Sequence, residues 1–154
     1  MTRTVVLAID DSEHSEYAFD FYLKHLLVKG DNIVVVHVSE YHSVVQAPAV
    51  LNDPFVVSQL IKEEEAKVKV LIDKYSKKLK SFQLGGRVKQ MVGKSGEAIV
   101  AAAQTEGASL IVMGSRGLGK LRRTLIGSVS DYVLHHAHVP VVICRKPQPE
   151  GAQH

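Results

Sequence analysis

The stretch Val5-Val6-Leu7-Ala8-Ile9-Asp10-Asp11-Ser12 decides the fold. Its first five residues are apolar without a break. A strand with one face in water would alternate apolar and polar residues. An unbroken apolar run belongs to a strand covered on both faces, as in a parallel sheet. The polar residues that follow open a helix, with Asp11 or Ser12 as N-cap. That helix runs through Tyr17, Ala18, Phe21, Leu23 and Leu26, and Gly30 closes it.

The unit recurs along the chain. Ile33 to Val38 reads as a second buried strand, followed by a long connection over 39–52 that lacks a period and carries Pro48. Asp53-Pro54 supplies an N-cap and a proline at the first helical position. Val57, Leu60, Ile61, Val68, Leu71, Ile72, Tyr75 and Leu79 then recur at helical spacing opposite a lysine- and glutamate-rich solvent face. Gly85-Gly86 break the chain before a third strand, Val88 to Val92. Ser95 is placed to cap a helix containing Ala98, Ile99, Ala102 and Ala103, which Gly107 ends. Leu110 to Met113 is a fourth strand. Ser128-Val129-Ser130-Asp131 resembles a capping box with Asp in place of Glu, opening a helix whose last turn holds His135 and His136. Pro140 to Cys144 is the fifth strand.

Strand and helix alternating five times predict an open, doubly wound α/β fold: a parallel five-stranded sheet with helices on both faces. One domain over 1–146 and a loose tail over 147–154 are expected. The 154 residues carry 19 Lys plus Arg against 16 Asp plus Glu, a balance too even to argue for nucleic acid. One cysteine excludes an intramolecular disulfide framework or a zinc ribbon. No apolar run approaches the roughly 20 residues of a membrane helix, and no signal peptide is visible. A cytoplasmic protein with a reduced Cys144, binding neither nucleic acid nor membrane, is the expectation.

In such sheets ligands sit beyond the carboxyl ends of the strands, where strand order reverses. The segment from Gly114 to Ser128 leaves the fourth strand there and ends at a helix start. Its glycines allow main-chain N–H groups to approach an anion, the helix N-terminus adds free N–H groups and partial positive charge, and Ser128 and Ser130 add hydroxyls. Arg116, Lys120, Arg122 and Arg123 make the surroundings positive. Gly114 to Lys120 fits a P-loop skeleton, but Leu121 stands where the Mg²⁺-binding hydroxyl belongs. The dinucleotide fingerprint fails because Arg122 occupies the third glycine place.

Gly114, Gly117, Gly127 and Ser128 fit a third pattern: Gly, two residues, Gly, nine residues, Gly-Ser. With the strand ending at Asp10, the His37-Val38 pair, Ile111-Val112-Met113-Gly114 and Pro140-Val141-Val142-Ile143, the chain resembles the universal stress protein family, specifically its ATP-binding branch. The resemblance covers about Thr4 to Arg145. It implies a Rossmann-like sheet of order 3-2-1-4-5 and a stress-response regulatory role with ATP, accompanied by Mg²⁺, as ligand. It implies that Gly114, Gly117, Gly127, Ser128, Val129 and Ser130 wrap phosphates and ribose; within that frame Arg116 or Lys120 of the charge run is expected to touch phosphate. Ala8, Ile9 and Asp10 would border the adenosine, Val38 would touch the base through its backbone, and Met113 would line the pocket. Ala8 departs from a proline found in some relatives. The resemblance also implies a homodimer through Val139 to Arg145, an edge strand.

Other chemistry finds less support. His135, His136 and His138 are close in sequence, but neighbouring residues point to different sides of a helix, so no metal site is expected. His37 and Cys144 read as structural. Gly93-Lys94-Ser95-Gly96 misses the nucleophile-elbow spacing. No residue clearly orients a water, so nucleotide binding with at most slow hydrolysis is expected, with a slow ATPase or phosphotransferase, or a nucleotide-free interaction module, as alternatives.

Overall fold

The computed structural model of the chain describes residues 2–41, 53–115 and 127–147. Arg116, Gly117 and the other loop cations lie outside the described residues, as does most of the 39–52 connection.

The five apolar runs form one parallel sheet. Its strands are β1 (Thr4–Ile9), β2 (Asn32–Ser39), β3 (Gly86–Val92), β4 (Leu110–Gly114) and β5 (Val141–Cys144), in the order β3-β2-β1-β4-β5. Helices α1 (Glu13–Phe21), α2 (Pro54–Ser81), α3 (Ser95–Thr105) and α4 (Ser128–His136) are the connections. Residues of the central strands alternate between two cores. Val5, Leu7, Ile9, Ile33 and Val35 face α1 and α2, whose Ala18, Phe19, Leu71, Tyr75 and Leu79 cover them. Val6, Ala8, Val34, Val36, Ile111 and Met113 face α3 and α4. Burying each Val, Leu or Ile contributes about 1.5–3 kcal/mol, which explains the unbroken apolar runs Val5 to Ile9 in β1 and Ile33 to Val36 in β2.

Local chemistry sets the boundaries, and several differ from the sequence expectation. Ser12 is the N-cap of α1, accepting from the Ser15 N–H at 3.2 Å. The helix does not continue to Gly30. It widens at Tyr22 to Leu26 into a π-helical turn and ends at Leu27, leaving Gly30 in the turn before β2. The cause is a polar knot at the amino ends of β1 and β2. Asp31, nearly fully buried, accepts from Arg3 at 2.8 and 3.1 Å, from the Tyr22 hydroxyl at 2.5 Å and from the Val28 N–H at 3.1 Å. Arg3 also donates to the Leu26 carbonyl at 2.8 Å, one of the orphan acceptors at the helix end.

Asp53 and Pro54 begin α2 as expected, with the Asp53 carboxylate accepting from the Phe55 N–H at 3.0 Å. The buried part of α2 is confined to Val68, Leu71, Tyr75 and Leu79. Ser95 does not cap α3: Lys94 holds that place, and the Ser95 hydroxyl, inside the first turn, donates to Glu40 at 2.6 Å. Ser128 likewise does not cap α4, so the capping box is not formed. Gly127 is the N-cap and Ser128 the first helical residue. β3 starts at Gly86, two residues before the expected strand.

The crossovers through α1 and α2 lie on one face and those through α3 and α4 on the other. The chain therefore leaves β1 toward one face and leaves β4, its neighbour, toward the opposite face. A crevice opens between their carboxyl ends.

Candidate functional site

Asp10 is the first residue beyond β1. Its Oδ1 accepts from the Ser15 hydroxyl at 2.8 Å and from the Ser12 hydroxyl, while its N–H donates to Ser15 Oγ at 2.8 Å. Ser12, not Asp10, caps α1. The carboxylate instead aligns two hydroxyls in the first turn of the helix, and its second oxygen has no hydrogen-bond partner among the described residues.

Ala8, Val38 and Met113 share the face toward α3 and α4, and Val129 of α4 packs in the same cluster. Parallel pairing brings the ends of β1, β2 and β4 side by side, with Ile9 opposite His37 and Leu7 opposite Val112. Ala8, Val38, Met113 and the start of α4 thus lie together, with Asp10 just beyond the end of β1. The Ile9 side chain lies on the other face, in the core under α1 and α2.

His37 is buried and bonded through Nδ1 to Gln90 Oε1 at 2.7 Å. The Gln90 amide nitrogen donates to Ser39 Oγ at 2.7 Å and to the Met91 carbonyl at 3.1 Å. A carbonyl only accepts, so Met91 fixes the amide orientation and His37 must carry its proton on Nδ1. This network ties β2 to β3 below the expected base position. His37 is structural, and its partner Gln90, 53 residues away in the chain, carried no signal in the sequence.

Gly114 ends β4, and its missing side chain is used by the protein itself. A Cβ there would lie 2.8 Å from the His14 carbonyl oxygen and 2.9 Å from its carbon. The first turn of α1 thus presses directly on the end of β4. Beyond it, Ser115 is anchored: its N–H donates to the Cys144 carbonyl at 3.0 Å, and its own carbonyl accepts from the Gly127 N–H at 2.6 Å. Ser115 and Gly127 therefore form the neck of the glycine loop.

Gly127 has φ −70° and ψ 164°, extended backbone that any residue adopts. No side chain among the described residues caps α4. The first intrahelical bond runs from the Asp131 N–H to the Gly127 carbonyl at 2.9 Å. The amides of Ser128, Val129 and Ser130 are left without helical acceptors at the mouth of the crevice. The Ser130 hydroxyl is committed inward, donating to the Gly127 carbonyl at 3.0 Å and lying 3.3 Å from the Ser115 carbonyl. It is a strut of the neck. Asp131, in the same turn, is exposed and sits 3.4 Å from His135 Nδ1.

The amides at this positive helix end have the chemistry to receive an anion, and the Asp10 carboxylate at the end of β1 suits hydroxyl donors. Cys144 is no nucleophile: burial pushes its thiol up to about 11. Among the described residues, no three His, Cys, Asp or Glu side chains gather as a metal site. No helix among them is long and apolar enough to cross a membrane.

A family model, Universal stress protein family, matches residues 1–145. A curated Thermus aquaticus relative, the universal stress protein in the QAH/OAS sulfhydrylase 3′ region, is 32% identical, with 94% of this chain and all of that protein aligned. The solved structure of Methanocaldococcus jannaschii MJ0577 superposes with a TM-score of 0.79 at 23% identity, covering 95% of this chain and 97% of that one. An Arabidopsis thaliana universal stress family protein with AMP bound superposes with a TM-score of 0.68 at 18% identity, covering 97% and 95% of the two chains.

Proposed function

The chain belongs to the universal stress protein family, and we propose that it holds an adenine nucleotide in the crevice between β1 and β4 as a regulatory ligand. ATP is the nucleotide, with Mg²⁺ arriving on its phosphates. The observation that carries this reading is the start of α4, where no side chain among the described residues caps the helix and the amides of Ser128, Val129 and Ser130 have no helical acceptors. The extended φ of Gly127 adds support. Backbone strain does not demand glycine there, and the missing side chain suits close approach of a ligand. The AMP carried by the Arabidopsis relative is consistent with the same class of ligand.

The roles follow from position. The α4 amides, the Gly127 main chain and, from the undescribed loop, Arg116 and Gly117 hold the phosphates. The free Asp10 oxygen accepts from the ribose, the Val38 backbone meets the base, and Ala8, the Ile9 backbone and Met113 wall the pocket. Gly114 serves by letting α1 close on β4. Nucleotide binding changes the surface offered to partners. The domain spans 1–146 and works in the cytoplasm.

Protein purified without added nucleotide and examined by native mass spectrometry tests the reading. Retained ATP, or ATP regained on addition, at one per chain is expected. A protein that neither retains nor takes up ATP, GTP or AMP at millimolar concentration would end it.

β5 supports a second part of the proposal. It is an edge strand, and Val141, Val142 and Ile143 are each partly exposed. Pairing of Val139 to Arg145 with the same segment of a second copy would cover this edge. Lys in place of Val141 or Ile143 should give monomers by light scattering.

A further inference from the structure

The pole opposite the crevice carries a groove between the end of the π turn and the end of α2. Leu23, Leu27, Phe82 and Leu84 line it together with Asp20 and Lys24, enclosing about 380 Å³. Two of its apolar side chains are open, Leu27 at 37% and Phe82 at 56% exposed, and Val28, next to Leu27 in the chain, is 51% exposed. Large apolar groups left exposed together mark a surface meant to be covered.

The charges around it identify what covers it. The two segments that build the groove, 20–31 and 76–87, carry Lys24, Lys29, Lys77, Lys78, Lys80 and Arg87 against Asp20 and Asp31. Asp31 is consumed by Arg3 inside the polar knot, and Arg87 by Glu106. Lys78 lies 3.9 Å from Asp20, the remaining carboxylate. Lys24, Lys29, Lys77 and Lys80 form no ion pair among the described residues, and all are exposed. An apolar concavity lined by Lys24, with Lys29 and Lys80 two residues along the chain from the lining Leu27 and Phe82, complements a segment with a large apolar anchor flanked by carboxylates. A second copy of this pole would bring lysine against lysine. A flat lipid surface would leave the concavity unfilled.

We propose that this groove docks an acidic peptide segment of a partner protein, anchored by an aromatic or leucine side chain between Leu27 and Phe82. Its lysines speed encounter and set orientation, and the apolar anchor gives residence. The site lies at the amino ends of the strands, away from the nucleotide crevice, so it is distinct from the nucleotide proposal and does not depend on it.

The test is a random peptide library panned against the full chain, with enriched peptides mapped by methyl and amide NMR. Enriched sequences should pair a Phe, Trp or Leu with several Asp or Glu and should shift Leu23, Leu27, Val28, Phe82 and Leu84. Phe82→Ser and Lys24→Glu, both at exposed positions, should each weaken the best peptide by about tenfold or more, and added salt should weaken it further. No enrichment, basic or neutral winners, or binding that maps elsewhere would overturn the proposal. So would vesicles of anionic phospholipid that bind the chain, with the same Phe82 dependence, while the peptides do not.

Discussion

The Gly127 N–H donates to the Ser115 carbonyl at 2.6 Å, closing the glycine loop at its base before α4 begins. Residues far apart in the chain thereby leave and re-enter the fold at one point. The start of α4 is thereby held beside the end of β4. On the proposed reading, binding at the helix start then needs little ordering there, which keeps its entropic cost low.

Because Gly127 is extended, a larger residue there fits the backbone while its side chain occupies the space for a phosphate. Gly127→Val should keep the melting temperature of the ligand-free protein within a few degrees. It should also abolish the stabilisation by ATP, about 2.7 kcal/mol at one hundred times the dissociation constant. A calorimetric scan with and without ATP and Mg²⁺ reads both quantities.

Asp10 separates structure from recognition. Asparagine keeps an oxygen that accepts from the Ser12 and Ser15 hydroxyls, so α1 should retain its start. Asp10→Asn loses the charge of the free oxygen. Titration calorimetry should show ATP affinity reduced by about tenfold, a loss of roughly 1.4 kcal/mol, with unfolding nearly unchanged.

The polar knot at the other pole carries a pH dependence. Burial pushes the Asp31 carboxyl up, but hydrogen bonds from Arg3, Tyr22 and the Val28 N–H, with the Arg3 charge, outweigh it and hold it below its ordinary value. A lowered folded pKa means stability fully present above the unfolded pKa and lost as pH falls through the folded one. Urea midpoints should therefore decline below about pH 4. Asp31→Asn should cost about 2–3 kcal/mol at neutral pH and lose this component of the acid response.

Helices α3 and α4 meet at a contact that only glycine allows. A Cβ on Gly96 would lie 2.6 Å from Tyr132 Cδ1 and 2.9 Å from Cγ, and the ring is pinned by His136 with centroids 3.9 Å apart. Gly96→Ala should destabilise by about 1–3 kcal/mol. Combining it with Tyr132→Ala should recover part of that loss, giving a coupling of about 1 kcal/mol in a double-mutant cycle.

The sheet was legible because buried strands write themselves as unbroken apolar runs, and five such runs alternating with amphipathic segments leave few topologies. The order β3-β2-β1-β4-β5 came from resemblance, since spacing alone does not say on which side β4 joins β1. Cap positions at Ser95 and Ser128 were each displaced by one residue. A hydroxyl suits both the cap and the first helical turn, and the choice was made by partners distant in sequence, Glu40 in the first case. The π turn was illegible because its cause, the Arg3–Asp31–Tyr22 knot, joins residues scattered over the chain. At the site, Asp10, Val38, Met113 and the α4 start were visible as strand and helix ends. The need for glycine at Gly114, imposed by the His14 backbone, and the neck role of Ser130 were not.

Backbone ¹H–¹⁵N NMR during titration with ATP and Mg²⁺ addresses the central claim most directly, since it reads the α4 amides themselves. The account predicts saturable, one-to-one displacement of the Ser128, Val129 and Ser130 resonances, with Asp10 and Val38 following the same curve. If ATP binds while those three amides stay in place, or leaves the whole spectrum unchanged at millimolar concentration, the nucleotide cradle at the start of α4 is wrong.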